Sequence, residues 1–391
     1  MYKDVIIKDK GRSSVMRQHP WIFSGAISDN GGAVPGDIVT VRSLSGEFLA
    51  RGVFDSGTIA VRILSFSDRP IDSDFWRDRL YAALFYRQAL GITESSNCYR
   101  LIHGAGDGIP GLVLDFYNGV VVFQAHCVGI YARREDITAA LADVYGENLL
   151  AVYDKSSQSV HTEEKPKDSY LYIASKPVLP HNIVENKLSF FVDWESGQKT
   201  GFFLDQRDNR ALIASIAKER RVINAFSYTG GFSVYAFWGG AREVISVDSS
   251  ASACELAERN VKHNYSEAKH STVCSDVSDF LADQKKDLYD LIILDPPAFA
   301  KHIKHRHKAL IAYKNLNKKA IRIVKSGGFI ATFSCSQAID LGLFTGAVRA
   351  AAIEEKRTVR IVKTLHQPVD HPVNIYQPEG EYLKGLLLYI E

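Results

Sequence analysis

A regular alternation of apolar runs and helical segments, which begins near Asn186, constrains the fold most. Runs that alternate with helices in this way predict a parallel sheet covered on both faces. A final pair of runs, at 358–365 and 382–391, has no helix-length segment between its members and predicts a hairpin at the sheet edge. The five alternating runs are RVINAF at 221–226, EVISVD at 243–248, STVCSDV at 271–277, YDLIILD at 289–295 and GGFIATFSC at 327–335.

The residues before this alternation divide into two further regions. The first 73 residues contain short strand-length runs between Gly and Pro turns and predict a small β-barrel-like module. The next region begins with a helical stretch and continues as a mixture of strands and a helix, which predicts a central α/β domain. A chain of 391 residues is long enough for three domains, with expected bounds 1–73, 74–185 and 186–391.

Composition restricts the class of protein. With 46% hydrophobic and 24% charged residues, no uninterrupted apolar segment and no signal-peptide pattern, the chain is typical of a soluble globular protein, and we expect it in the cytoplasm. The five cysteines lack any disulfide or metal-binding spacing, so we expect no metal site and no disulfides. Unless its context indicates otherwise, each cysteine is expected to be a buried, reduced thiol.

Charge indicates that any nucleic-acid surface is local, because the net charge is only +2. Two basic segments qualify, and the alternative for each is a solvated face without a ligand. Their residues are Lys8, Lys10, Arg12 and Arg17 in the first, and Lys301, Lys304, Arg306 and Lys308 in the second.

A glycine-containing loop, SYTGGF at 227–232, follows the first run of the alternation. Ligands of doubly wound sheets bind at the carboxyl ends of the strands, where Asp248 and Asp276 end the second and third runs. The loop is not G-x-G-x-x-G, which disfavours NAD and FAD. A glycine loop with two acids and no phosphate-binding apparatus suits S-adenosylmethionine. Ordinary turn and cap chemistry is the alternative explanation.

The fourth run ends in the sequence LDPPAF at 294–299. The prolines fix the turn, Asp295 is placed to accept a hydrogen bond from a base edge, and Phe299 offers a stacking face. This pattern predicts a site for a flat base. It does not distinguish methylation of an exocyclic nitrogen from methylation of carbon 5 of cytosine, and D-P-P also occurs as a plain turn.

Cys335 ends the fifth run, which is expected to lie beside the fourth. Carbon 5 of cytosine is a poor nucleophile until a group adds at carbon 6, and a thiolate is the natural adding group. The flanking serines and the nearby basic segment favour the thiolate. A buried structural cysteine is the alternative.

With these residues the whole chain resembles the bacterial large-subunit ribosomal RNA cytosine-C5 methyltransferases with an N-terminal PUA domain. The resemblance implies a PUA domain, a central α/β domain and a class I S-adenosylmethionine-dependent methyltransferase domain with a Rossmann-like, mostly parallel seven-stranded sheet. It depends on HPWIFSGAI, RLIHGAGDGIPGLVLDFY, VYDKS, QKTGFFLDQRDNR, NAFSYTGGFSVYA, VDSS, LDPPAF, TFSCS, DHPV and EGEYLKG.

The resemblance also implies the roles of individual residues. Cys335 is implied as the nucleophile and Asp295 as the acid that holds the base, with Pro296, Phe299 and the second basic segment on the RNA side. Many related enzymes carry a second cysteine on the fourth strand, but here Pro296 and Pro297 form that turn, so the base that removes the carbon 5 proton is unassigned. S-adenosylmethionine is implied to be bound by Gln206, Arg207, Phe226, Ser227, Tyr228, Gly230, Asp248, Ser249 and Asp276.

Ribosomal RNA is the implied partner, no membrane partner is expected, and a homodimer is one possible assembly. Two other functions stay open at this stage. One is methylation of an exocyclic amine, for which LDPPAF suffices and Cys335 only packs. The other is a non-catalytic RNA-binding or ribosome-assembly protein that has kept the fold.

Overall fold

The computed structural model describes residues 2–160, 166–300 and 302–391. The chain divides into two compact units, neither of which is a continuous stretch of sequence. The domain bounds expected from the sequence remain predictions. Unit 1 comprises Met1–Lys187, Val192–Leu204 and Val369–Gly380, and unit 2 comprises Leu188–Phe191, Asp205–Pro368 and Glu381–Glu391.

Unit 1 contains two sheets. The strand order is β2-β6-β5-β4-β1-β3 in the first and β11-β10-β9-β8-β7 in the second, and β12 is part of neither. Its strands are β1 Lys3–Ile7, β2 Trp21–Phe23, β3 Ile27–Asp29, β4 Ile38–Ser43, β5 Phe48–Phe54, β6 Ile59–Ser65, β7 Cys98–His103, β8 Leu112–Tyr117, β9 Val120–Ala125, β10 Ala151–Asp154, β11 Ser169–Ile173 and β12 His181–Glu185. Its helices are α1 Asp9–Met16, α2 Ser73–Ala89, α3 Ile92–Ser95, α4 Val128–Tyr131 and α5 Arg134–Tyr145.

One apolar core joins the two sheets of unit 1. Ile38, Val53 and Leu64 from the first sheet pack in the same buried cluster as Phe75 and Trp76 of α2. Full burial of such side chains stabilises a fold by about 1.5–3 kcal/mol each. The first sheet is therefore packed against the rest of unit 1.

A buried arginine ties the segment Val369–Gly380 into unit 1. Arg87 of α2 forms a two-pronged ion pair with Asp107, with 2.8 Å between Nη2 and Oδ2, and also donates to the carbonyl of Asp370 at 2.7 Å. An arginine fork satisfies a carboxylate and a carbonyl together, which a buried charge requires.

Unit 2 is built on the alternating part of the sequence. Its seven-stranded sheet has the order β16-β15-β14-β17-β18-β20-β19. The strands are β13 Leu188–Val192, which is not part of that sheet and whose last residue belongs to unit 1, β14 Arg221–Ala225, β15 Glu243–Asp248, β16 His270–Cys274, β17 Tyr289–Leu294, β18 Val324–Ser334, β19 Val359–Leu365 and β20 Lys384–Ile390. The helices are α6 Arg207–Ile216, α7 Gly231–Trp238, α8 Ala251–Asn264, α9 Val277–Asp283, α10 Arg306–Ile323 and α11 Leu341–Glu355.

The pairing in this sheet confirms the predicted topology. From β16 to β18 neighbouring strands are parallel, whereas β20 is antiparallel to both β18 and β19. The predicted hairpin is therefore present. From β14 the chain builds the sheet towards one edge, and from β17 it builds the sheet towards the other. Doubly wound sheets bind their ligands at the point between two such strands.

The central strand β17 shows why the apolar runs are continuous. Leu291 and Ile293 pack on one face of the sheet, while Ile292 and Leu294 pack on the other. Successive side chains of a strand point to opposite faces, so a strand covered by helices on both faces buries every residue.

One expectation about the cysteines is wrong. Cys98, Cys127 and Cys254 are buried and Cys335 is half-buried, but Cys274 is exposed. Cys274 is the last residue of β16, an edge strand, so fewer neighbours cover it. Within the described residues no helix is both long and apolar enough to cross a membrane.

Candidate active site

The loop between β14 and α7 has an unusual backbone. Phe226, Tyr228 and Gly230 have φ values of +59°, +46° and +80°. Positive φ is uncommon for residues other than glycine and is often found at functional sites. The amide of Ser227 donates to the carbonyl of Val247 at 3.0 Å, which fixes the loop against the end of β15.

Asp248, at the end of β15, organises this loop. Its carboxylate accepts hydrogen bonds from the amides of Tyr228 at 2.8 Å and Ser250 at 3.0 Å. Each carboxylate oxygen can accept a second hydrogen bond, so these contacts leave capacity for ribose hydroxyls. Ser249, which stands between Asp248 and Ser250 in the sequence, is exposed.

Asp276 lies at the neighbouring strand end. It is exposed and caps the N-terminus of α9 by accepting from the amide of Asp279 at 3.1 Å. The amide of Ser275 donates to the carbonyl of Asp248 at 3.0 Å, which brings the ends of β15 and β16 together. Three residues predicted to bind one cofactor, Ser227, Asp248 and Asp276, thus lie at or just after the carboxyl ends of adjacent strands.

Two observations test whether this loop fits a ligand. The hydroxyl of Ser227 is buried and has no hydrogen-bond partner among the described residues, although buried hydroxyls normally have one. A Cβ atom at Gly230 would lie 2.9 Å from Cβ of Ala257, so only glycine allows the loop to pass so close to α8. An orphaned hydroxyl, a tight glycine turn and an acid suit S-adenosylmethionine.

A chain of amide hydrogen bonds orients Asp295. Nε2 of Gln206 donates to Oδ1 of Asp295 at 3.0 Å, and Nδ2 of Asn209 donates to Oε1 of Gln206 at 2.7 Å. Asn209 also donates to the carbonyl of His366 at 3.1 Å. Sequence reasoning missed Asn209, although it lies in the quoted segment QKTGFFLDQRDNR. Arg207, which follows Gln206 in sequence and is the first residue of α6, is also buried.

Cys335 and Asp295 follow adjacent parallel strands. Leu294 of β17 pairs with Thr332 of β18, and each of the two site residues comes directly after its strand. Ser334 is buried and donates to the hydroxyl of Tyr313 at 2.9 Å. Burial is the largest cause that raises the pKa of Tyr313, to about 12, so this phenol stays neutral at physiological pH.

Phe299 packs on the same tyrosine. The ring centroids of Phe299 and Tyr313 are 4.7 Å apart, and Phe299 is only half-buried, so part of its ring remains accessible. Pro296 is buried. The turn after β17 is thus fixed by buried Pro296 and by the contact between Phe299 and Tyr313, while part of the Phe299 ring stays exposed.

The basic segment after this turn is divided in its contacts. Lys304 and Lys308 are exposed, but Arg306 is half-buried and its Nε donates to the carbonyl of Ala338 at 2.7 Å. Lys301 lies outside the described residues. In the first basic segment, Arg12 pairs with Glu47 at 3.0 Å.

Unit 1 contains a cleft that is formed by other residues. A polar cleft of about 410 Å³ in unit 1 is lined by none of the residues predicted to act. The described part of the chain has no group of three or more His, Cys, Asp or Glu residues arranged to hold a metal ion. The cleft is lined by Gln124, Lys155, Gln158, Ser196, Gly197, Gln198 and Lys199.

Comparison with known proteins identifies the family to which the chain belongs. A family model described as S-adenosylmethionine-dependent methyltransferase matches residues 99–387, and a PUA-like domain model matches residues 5–66. The protein called ribosomal RNA large subunit methyltransferase I from Alteromonas mediterranea is 37% identical over 99% of this chain and 98% of its own length. Its namesake from Yersinia pestis is also 37% identical, over 97% of this chain and 98% of its own.

Solved structures support the fold alone. A candidate SAM-dependent methyltransferase from Streptococcus mutans superposes with a TM-score of 0.82 at 23% identity, covering 99% of both chains. The predicted class I methyltransferase fold with an N-terminal PUA-like domain is therefore confirmed. These similarities give no support for a homodimer.

Proposed function

Because this chain belongs to the S-adenosylmethionine-dependent methyltransferases, and among them to the ribosomal RNA large subunit methyltransferase I family, we propose that it forms 5-methylcytosine in large-subunit (23S) ribosomal RNA. Family membership confirms S-adenosylmethionine as the predicted cofactor. The proposal of ribosomal RNA as substrate draws on the names of the relatives. We also propose that the enzyme acts in the cytoplasm.

The position of Cys335 supports the choice of carbon 5. A half-buried thiol directly after β18 lies one strand away from an acid, Asp295, that is held by Gln206. A methyltransferase for an exocyclic amine needs the acid and its turn but has no use for a nucleophile. The placement of a thiol and an acid directly after the carboxyl ends of two adjacent parallel strands is the observation that supports the proposal.

The residues proposed to hold the cofactor surround the loop after β14. Asp248 would accept from the ribose hydroxyls with the lone pairs that Tyr228 and Ser250 leave free, and the hydroxyl of Ser227 would gain a partner. When bound, S-adenosylmethionine supplies an electrophilic methyl group. The other residues proposed for this role are Gln206, Arg207, Phe226, Tyr228, Gly230, Ser249 and Asp276.

The proposed reaction begins with addition of the Cys335 thiolate to carbon 6 of a cytosine that has left its RNA stack. This addition makes carbon 5 nucleophilic, so that carbon 5 would accept the methyl group that S-adenosylmethionine supplies, with S-adenosylhomocysteine as the leaving group. Loss of the carbon 5 proton to a base and breakage of the bond between sulfur and carbon 6 then release 5-methylcytosine and the thiolate. Asp295 would accept from the cytosine amine and so fix the ring.

The RNA side of the site is proposed to use Phe299 and the basic segment. Phe299 would stack on the extruded base, while Lys304 and Lys308 would contact phosphates and position the strand without reading sequence. Lys301 and Arg306 belong to the same proposal, although Arg306 already holds the carbonyl of Ala338. The PUA-like domain would add a second RNA contact, so binding should weaken as salt increases.

The test is product analysis with a nucleophile variant. Ribosomal RNA from cells lacking the protein is methylated with the wild-type enzyme and with Cys335→Ser, and the nucleosides are separated by chromatography. The proposal predicts 5-methylcytidine from wild type and none from Cys335→Ser. Appearance of N4-methylcytidine, or normal 5-methylcytidine formation by the serine variant, would refute it.

The non-catalytic alternative makes a separate prediction. A protein that only binds RNA would not need the orphaned hydroxyl of Ser227 and the two free lone pairs of Asp248. Calorimetric titration with S-adenosylmethionine distinguishes the two, because the enzyme binds the cofactor in stoichiometric amount and the alternative predicts poor binding.

A further inference from the structure

Lys384 is a buried lysine that lies directly beside the proposed nucleophile. It is the first residue of β20 and pairs with Ser334, the residue before Cys335. Its side chain reaches past that pair, because Nζ donates to the carbonyl of Ser336, the residue after Cys335, at 2.8 Å. A second hydrogen bond goes to the carbonyl of Tyr382 at 2.6 Å, and only 6% of the residue is exposed.

This ammonium lacks a carboxylate partner among the described residues. Both of its hydrogen bonds go to neutral carbonyl oxygens, although buried charges in proteins are normally paired. Two carboxylates, Glu381 and Asp340, raise the pKa of Lys384 through their charge, but each has another partner. Glu381 pairs with His366 at 2.7 Å, and Asp340 caps α11 by accepting from the amide of Leu343 at 2.8 Å.

We propose that Lys384 is a positioning residue whose ammonium stabilises the thiolate of Cys335 and so prepares it for addition to carbon 6. A thiolate at this position supplies the negative charge that the buried lysine otherwise lacks. The inference rests on the proposed role of Cys335 as nucleophile. It gives a role to the lysine of the segment EGEYLKG.

The electrostatic environment of Lys384 supports this pairing. Burial is the largest cause that lowers the pKa of Lys384, and the Cys335 anion is the first of the charges that raise it again. Two other titratable groups, Tyr313 and Asp295, also influence the surroundings of Cys335 and Lys384. Tyr313 from α10 is neutral because its pKa is about 12, and Asp295 at the end of β17 would repel a thiolate. The positive charge of Lys384 therefore opposes the effect of Asp295.

The test is the pH dependence of Cys335 alkylation, which needs neither RNA nor cofactor. Wild-type protein and Lys384→Met are treated with iodoacetamide across a pH series, and modification of each cysteine is followed by mass spectrometry. We expect the midpoint for Cys335 to rise by about one pH unit in Lys384→Met, with an alkylation rate about tenfold lower at pH 7. Lys384→Arg, which keeps the charge, should restore most of the rate.

Two controls separate a local effect from a general one. Exposed Cys274, at the end of the edge strand β16, is alkylated in the same samples, and its midpoint should not change. Lys325→Met removes a lysine of β18 that pairs with Asp290 at 2.8 Å, and it should leave the Cys335 midpoint unchanged. Urea unfolding confirms that each variant is folded, and Lys384→Gln replaces Lys384→Met if the latter is not.

The results distinguish this inference from the proposed function. An unchanged Cys335 midpoint in a folded Lys384→Met or Lys384→Gln protein would overturn the role of Lys384, while product analysis of Cys335→Ser would still test the nucleophile independently. Conversely, a shifted midpoint together with a fully active Cys335→Ser would leave the ion pair intact and refute the nucleophile.

Discussion

Replacing Asp248 with asparagine should weaken both the fold of unit 2 and its binding of cofactor. The carboxylate accepts from the amides of Tyr228 and Ser250 at 2.8 and 3.0 Å. Asparagine keeps one acceptor oxygen but turns an NH2 group towards the other amide. Hydrogen bonds to charged groups contribute about 1.5–3 kcal/mol each. We therefore expect the free energy of unfolding to fall by about 2 kcal/mol.

The same change should reduce cofactor affinity, because the loop held by Asp248 contains the residues proposed to bind it. If the free energy of cofactor binding also falls by about 2 kcal/mol, the Kd becomes about 30-fold higher. Calorimetric titration with S-adenosylhomocysteine measures the affinity, and urea unfolding measures the stability. Asp283→Asn is the matched control, since Asp283 is exposed at the end of α9. An affinity of Asp248→Asn within twofold of wild type would show that this carboxylate does not organise the cofactor loop.

Three further predictions concern stability, measured by urea unfolding. Burial lowers the pKa of His270 to about 4 in the folded protein. The unfolded chain therefore takes up the proton first, and at most about 3 kcal/mol of stability, present above pH 6.5, should be lost as pH falls towards 4, but not in His270→Gln. Gly230→Ala should cost about 1–3 kcal/mol, since φ is +80° and the new Cβ meets Ala257; unchanged stability would contradict this. Tyr313→Phe should lower the free energy of unfolding by about 1 kcal/mol by depriving the Ser334 hydroxyl of its acceptor, whereas Phe299→Leu should leave that hydrogen bond intact.

The sheet of unit 2 could be predicted from sequence because its physical cause is local. A run such as YDLIILD is apolar at successive positions, and only a strand covered on both faces buries all of them, as β17 does. The hairpin of β19 and β20 followed from the missing helix between them.

The division of the chain into units was not predictable in the same way. Residues 369–380 stand between two strands of unit 2 in sequence but group with unit 1, where Arg87 holds the carbonyl of Asp370. The two residues are separated by 283 positions, and no periodicity links them.

Within the site, strand ends were predictable and side-chain contacts were not. Asp248, Asp295 and Cys335 could be placed because parallel strands end at one edge. The contact between Gln206 and Asp295, and the burial of Lys384 beside Cys335, depend on how distant segments pack. A lysine in a sequence is normally solvated, so burial of this one carried no signal.

Covalent trapping tests whether Cys335 attacks carbon 6 of cytosine. Ribosomal RNA transcribed with 5-fluorocytidine is incubated with enzyme and S-adenosylmethionine, and the adduct is isolated under denaturing conditions and mapped by mass spectrometry. Fluorine at carbon 5 blocks the final proton loss, so the thioether should persist. We expect an adduct at Cys335 in the wild type and none in Cys335→Ser. Methylation of ordinary RNA without any adduct on the fluorinated RNA, or an adduct at another residue, would contradict it.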